Sequence, residues 1–295
     1  RGNWVRTDTR LHKLPDNRDL DYAEYGDPNG RPVLMVHGKP GSRLFWGRLP
    51  GAPFRDGLRL IVPDRPGVGL SDFGAGRTVA NWPDDVESLL ESLGIQQIDL
   101  FGASAGGPYA LACAWKIPHR LGSVGVFAPM GPFLPETSVG LVPSLAKLYR
   151  VAPQHPRLIR FQMGLLALLA RWLPALYTKL IVAEFSDVDL AAYRRLDIAD
   201  WIAPDRREFY RQWGRGVAYD VTMPATWPIP LQEIQLPVYL WQGELDTAVP
   251  PSSSRYLAEQ LPECRATFIP DAGHFWIFEH VAEVLDTLLG SDPNR

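Results

Sequence analysis

Ile98-Asp99-Leu100-Phe101-Gly102-Ala103-Ser104-Ala105-Gly106-Gly107 reads as a short apolar strand that turns at once into a helix, with a serine at the corner. Glycines two before and two after Ser104 leave room for a sharp backbone turn and for a close neighbouring strand, because neither carries a Cβ. Such a turn pushes the serine side chain into a pocket, where a nucleophile would stand. The G-x-S-x-G pattern also arises by chance in many chains, so its weight depends on its surroundings.

Similar apolar runs lie on both sides of it: Val33-Leu34-Met35-Val36, Leu60-Ile61-Val62, Val124-Gly125-Val126-Phe127, Val238-Tyr239-Leu240-Trp241 and Ala266-Thr267-Phe268-Ile269. Continuous apolar runs of this length suit strands buried on both faces of a parallel sheet. Leu20-Asp21-Tyr22 instead alternates after the turn-forming Pro15-Asp16-Asn17, which predicts an antiparallel hairpin. Between the runs lie helical patterns. Val86, Leu89, Leu90 and Leu93 mark one helix face, with Asp84 and Asp85 in its first turn and Gly94 at its end. Val281, Leu285 and Leu288 mark another. Strands alternating with helices make this an α/β protein with a mostly parallel sheet.

That alternation stops between residues 132 and 235, where the patterns are helical, Pro129, Pro132, Pro135, Pro143 and Pro153 crowd the beginning, and Trp172, Trp201, Trp213 and Trp227 are spread through. The expected organisation is a core over 1–131, a helical cap over 132–235 and the rest of the core over 236–295. The cap should cover the C-terminal edge of the sheet, where open α/β folds hold ligands.

The 295 residues are 46% hydrophobic and 21% charged with a formal net charge of −3, which fits a soluble globular chain. That balance gives no field suited to nucleic acid, and no basic stripe with interleaved aromatics is present. The most apolar stretch, Phe161 to Ala170, lies between Arg160 and Arg171 and soon meets Pro174, too short for a bilayer span. Cys113 and Cys264 are expected to be reduced and packed. The chain reads as cytoplasmic, although it begins at Arg1 and a removed leader stays open. The expected partner is a small-molecule substrate, and nothing in the sequence indicates an oligomer.

A serine nucleophile needs a base to take its proton and an acid to orient that base. Of the six histidines, His274 follows Asp271-Ala272-Gly273 in a loop after the run ending at Ile269, so it can reach a pocket; His280 reads as structural. Val238 to Trp241 leads into Gly243-Glu244-Leu245-Asp246, which offers Asp246 as the acid and Glu244 as its competitor. The order Ser104, Asp246, His274 is the one expected when all three come from successive strand ends of one sheet. Acyl transfer also needs donors for the developing oxyanion. The backbone N–H of Ala105 heads the helix after the elbow, and His37-Gly38-Lys39-Pro40-Gly41-Ser42 is placed to present that of Lys39. His37 then braces this loop, and the Lys39 side chain reads as an exposed loop lysine. The chemistry calls for no cofactor and no metal.

Taken in order, His37-Gly38-x-Pro40-Gly41, Asp64-x-x-Gly67-x-Gly69-x-Ser71, Gly102-x-Ser104-x-Gly106-Gly107, Gly243-x-x-Asp246 and Gly273-His274 resemble the α/β-hydrolase superfamily. The resemblance covers the chain outside the cap. It implies an eight-stranded, mostly parallel sheet flanked by helices, a Ser-Asp-His triad, an oxyanion hole and a lid inserted after the sixth strand. Serine at 104 differs from the aspartate of epoxide hydrolases and haloalkane dehalogenases. Lys39 and Ala105 stand where proline iminopeptidases usually carry glycine and tryptophan. Such aminopeptidases also need cap carboxylates for a substrate ammonium; Glu184, Asp187, Asp189 and Glu208 are available but read as solvated helix residues. The expected activity is hydrolysis of a small or medium apolar carboxylic ester. Alternatives are aminopeptidase, carbon–carbon bond hydrolase, a biosynthetic transferase, cyclase or lyase, and a non-enzymatic small-molecule receptor.

Overall fold

In the computed structural model, which describes residues 9–49, 57–183 and 185–290, the apolar runs become strands of one eight-stranded sheet. β1 (Arg10–Lys13) and β2 (Asp19–Gly26) form the antiparallel hairpin, turning through Asn17 at φ 67°. Asparagine tolerates that left-handed conformation because its short side chain bonds locally. β3 (Arg31–Val36), β4 (Leu58–Pro63), β5 (Ile98–Ala103), β6 (Leu121–Phe127), β7 (Val238–Gly243) and β8 (Cys264–Ile269) pair in parallel, with β2 antiparallel to β4.

The sheet order β1-β2-β4-β3-β5-β6-β7-β8 sends the chain from β3 to one neighbour, β4, and then back across to the other, β5. Loops leaving the C-terminal ends of β3 and β5 therefore part from each other, and a crevice opens between them. The His37 loop and Ser104 are those two loops.

Helices α1 (Trp82–Ser92) and α2 (Gly107–Lys116) follow β4 and β5. Val86, Leu89 and Leu90 of α1 are buried, and eight of the ten α2 residues are buried, Cys113 among them. Trp46, Trp82, Phe101 and Tyr109 anchor the core, with Trp46 edge-on to Phe101 at 5.8 Å. Both cysteines are free. One strand departs from the expected double burial: no residue of β8 is fully buried and half of them are exposed, because it pairs only with β7 and ends the sheet.

Between β6 and β7 the chain forms helices and, among the described residues, no strand. These are α3 (Pro143–Val151), α4 (Pro156–Trp172), α5 (Pro174–Val182), α6 (Asp187–Arg195), α7 (Ile198–Trp201), α8 (Ala203–Phe209) and α9 (Arg215–Asp220). Proline at the start of α3, α4 and α5 suits the first helical turn, whose N–H groups have no intrahelical partner. α10 (Pro251–Gln260) and α11 (Ile277–Gly290) complete the fold, α11 burying Val281, Val284, Leu285 and Leu288. Among the described residues no helix is long and apolar enough to cross a membrane.

Candidate active site

Ser104 sits at φ 54°, in the left-handed region that side chains rarely adopt. Its carbonyl accepts the Met130 N–H at 3.1 Å, and Ser104 begins, with fully buried Ala105 next, the single turn that runs into α2. The glycines are there because the chain is too close for anything else. A Cβ at Gly106 would lie 2.5 Å from the Val36 carbonyl oxygen, and one at Gly102 would lie 2.6 Å from that of Gly106.

Asp246, in the loop after β7, accepts N–H groups from Ala248 at 2.8 Å and Val249 at 2.9 Å on Oδ1. Its Oδ2 lies 2.6 Å from His274 Nδ1. Because Oδ2 is an acceptor, the proton rests on Nδ1 and the Nε2 lone pair of His274 is left free. Burial alone would depress the imidazole, but Asp246, its hydrogen bond and Asp189 outweigh that and raise the pKa of His274 above 6.5. Glu244, the competing carboxylate, is paired outward with Arg255 at 2.7 Å. His280 bonds the Trp276 carbonyl and stacks on that ring at 4.0 Å, a structural role.

The loop after β3 is held from below. His37 is fully buried; its Nε2 accepts the Arg65 N–H at 3.2 Å, so its Nδ1 carries the proton and donates to the Gly38 carbonyl at 3.0 Å. Burial and the Arg65 charge push its pKa well down, which keeps it neutral. Arg65 also donates to the Gly38 carbonyl at 3.0 Å and pairs with Asp220 of α9 at 2.6 Å. Arg43 Nη1 lies within 2.9 Å of Asp21, Asp64 and Glu208. These carboxylates are close enough to one another for a cation, and that guanidinium is their cation. Burial raises the pKa of both Asp64 and Asp21, and the Asp64 charge lifts Asp21 further, while Arg43 pulls both down.

Ser104, Gly38, Lys39 and His274 all face one cavity of about 380 Å³. Its walls are chiefly apolar, with Phe45, Trp46 and Phe127 from the core and Phe185, Phe209 and Leu148 from the helices above. Polar groups are few. The Tyr177 and Tyr210 hydroxyls are 3.2 Å apart, and burial raises both phenols, Tyr177 to about 12, so they stay neutral. The only Lys or Arg side chains on the wall are Lys39 and Arg206, and no Asp or Glu lines it, among the described residues.

A family model for the alpha/beta hydrolase fold matches residues 31–281. This chain is an α/β-hydrolase. The 2-hydroxymuconate semialdehyde hydrolase of Pseudomonas putida is 39% identical over 132 residues, 41% of this chain and 46% of that protein, so this match spans under half of the relative. A hydrolase of Bacillus subtilis, YcgS, is 25% identical over 93% of this chain and 95% of its own. The solved thermophilic esterase of Thermogutta terrifontis aligns with a TM-score of 0.69 and 24% identity, covering 96% of this chain and 98% of that one, a likeness of fold.

Several residues of this hydrolase are not where the sequence suggests. The Lys39 side chain is half-buried on the cavity wall rather than exposed, its ammonium 5.3 Å above the Tyr149 ring of α3. None of Trp172, Trp201, Trp213 and Trp227 lines the cavity; Trp172 and Trp213 are exposed. Asp187 is solvated as expected, while Glu184 lies outside the described residues. Asp189 and Glu208 are neither solvated nor in the cavity. Asp189 is buried and accepts the Phe275 N–H at 2.7 Å, so α6 grips the loop that carries His274. Glu208 grips Arg43, and Asp205 beside it accepts both the N–H and the hydroxyl of Ser42. Four carboxylates of the inserted helices, Asp189, Asp205, Glu208 and Asp220, thus hold the two loops that flank Ser104. No local pattern around them announces this, because each partner is more than 80 residues away in sequence.

Proposed function

We propose that this α/β-hydrolase cleaves a carboxylic ester through an acyl-enzyme on Ser104. What carries the reading is the hydrogen-bonded Asp246–His274 pair opening, with the elbow serine, onto one largely apolar cavity. Ser104 Oγ bonds to the substrate carbonyl carbon as His274 Nε2 takes its proton, and Asp246 stabilises the resulting imidazolium. The N–H groups of Ala105 and Lys39 receive the charge that develops on the carbonyl oxygen. His274 returns the proton to the departing alcohol, then activates water to release the acid.

The wall chemistry narrows the substrate. An amine would enter as an ammonium and meet two cations and no carboxylate, which argues against the aminopeptidase reading. Arg206 is 5% exposed, lies over the Tyr177 ring at 5.3 Å, and its Nε is buried with no hydrogen-bond partner among the described residues. A buried guanidinium left so is costly unless a ligand supplies an anion. This supports a substrate with a carboxylate remote from the scissile bond. It equally favours the second reading, a carbon–carbon bond hydrolase acting on an anionic ketone, to which the 39% identical relative adds weight. Kinetics on neutral esters, ω-carboxylate esters of matched length, amino-acid amides and vinylogous 1,5-diketone acids test both. Turnover of amides alone would refute the proposal. Arg206→Gln is expected to lower kcat/KM on ω-carboxylate esters about 10- to 100-fold while leaving neutral esters within a few-fold.

The pH profile follows from the site. His274 works as a base only when neutral, and its pKa is raised, so kcat/KM should fall as pH drops through a value above 6.5. Asp189→Asn keeps a side-chain acceptor for the Phe275 N–H but removes an anion near His274. It is expected to move this acid limb to lower pH, a shift that loss of packing alone would not produce.

A further inference from the structure

From Thr137 to Ala183 the chain carries six Lys and Arg and no Asp or Glu, although its overall formal charge is −3. This is the stretch that forms α3, α4 and α5. On α4, Ile159, Met163, Ala167 and Ala170 face inward and are buried. The opposite side of a helix at a protein surface is ordinarily polar. Here it carries Leu158, Phe161, Leu165, Leu168 and Trp172, all exposed and spaced by three, four, three and four residues, so they form one stripe. Leu173, between the two helices, and Leu176 and Leu180 of α5 extend it. Eight of the twelve large exposed hydrophobic side chains among the described residues therefore lie within 23 consecutive positions, 158 to 180. A patch of this kind needs a cover.

The charges say what the cover is. Lys147, Arg150, Arg157, Arg171 and Lys179 are exposed and have no carboxylate partner among the described residues. Arg157 and Arg171 stand at the two ends of the α4 stripe, the latter with its guanidinium 5.3 Å above the Trp172 ring. A second copy docking through the same face would oppose these cations to themselves. An apolar stripe of Leu, Phe and Trp with a basic border is the composition of helices that lie in the headgroup region of a bilayer.

We propose that α4 and α5 form a docking face for an anionic lipid surface, on which the protein lies without crossing. Leu180 belongs both to this face and to the cavity wall, so the adsorbed protein has its cavity beside the lipid. The proposal does not depend on the ester reading, and neither does its test. Flotation with vesicles of phosphatidylcholine, alone or mixed with phosphatidylglycerol, is expected to recover the protein on the anionic vesicles, with binding at least ten-fold weaker on neutral ones and weakened by salt. Phe161→Asp with Trp172→Asp, and separately Arg157→Glu with Arg171→Glu, should each reduce partition about ten-fold or more while far-ultraviolet dichroism and Tm stay unchanged, since all four side chains are exposed. Absence of binding to both vesicles, binding indifferent to both pairs of substitutions, or a concentration-dependent dimer that Phe161→Asp dissociates would overturn it.

Discussion

Replacing Ser104 with alanine is expected to lower kcat on any ester the protein turns over by about 10⁴-fold or more, with little change in fold. In the proposed mechanism the loss is large because Oγ forms the acyl-enzyme bond and its neighbours act through it. The fold should tolerate the change, since no described packing depends on Oγ and alanine also has a Cβ; the left-handed backbone at φ 54° is equally awkward for both residues. Purified variant protein assayed on short p-nitrophenyl esters, with Tm measured alongside, checks it. Activity within ten-fold of the parent would remove Ser104 from the mechanism.

The second large effect is expected at Asp246. In Asp246→Asn the amide oxygen will stay on the Ala248 and Val249 N–H groups, which today bond Oδ1 at 2.8 and 2.9 Å. The amide nitrogen then points at His274 Nδ1, 2.6 Å from the atom it replaces. Two donors cannot face each other, so His274 gives up its Nδ1 proton and carries it on Nε2, the nitrogen that accepts from Ser104 in the proposed mechanism. A fall in kcat of about 10³- to 10⁴-fold follows, from a change that preserves shape. The raised imidazole pKa should also disappear, since the Asp246 charge is the chief influence lifting it against burial. A histidine titration by NMR reads this directly, and an unchanged pKa would show that the carboxylate is not what charges the site.

The two effects rest on parts of the molecule that differ in how readable they are. Ser104 announces itself in ten consecutive residues, because a strand, a sharp turn and a helix are each local events with local signatures. Asp246 and His274 are legible at one remove: each follows an apolar run, and a parallel sheet brings the C-terminal ends of its strands to one edge. β8 shows where that logic thins. Its apolar run reads as a doubly buried strand, yet it lies at the edge of the sheet and is half exposed, and edge position belongs to topology rather than to composition.

The inserted helices were legible as helices and little more. None of their four tryptophans lines the cavity, and Trp172 is 68% exposed, while the wall is made by Phe185, Phe209 and tyrosines whose spacing gives no hint of it. Asp189 and Glu208 look like ordinary helix carboxylates until the Phe275 amide and Arg43 are brought to them. Arg206 is one of several arginines in its segment, and what sets it apart is its burial on the cavity wall, with Nε unpartnered among the described residues.

By itself, then, the sequence determined the α/β architecture, the elbow serine and the order in which the aspartate and histidine follow it, because strand periodicity, turn chemistry and strand-end placement are properties of short segments. The tertiary structure alone decided which carboxylates hold the loops, which cations face the cavity and which helix side lies uncovered. Those depend on contacts between residues far apart in the chain, and burial, the quantity that turns a charge from a solvated ornament into a demand for a partner, exists only once the chain has closed on itself.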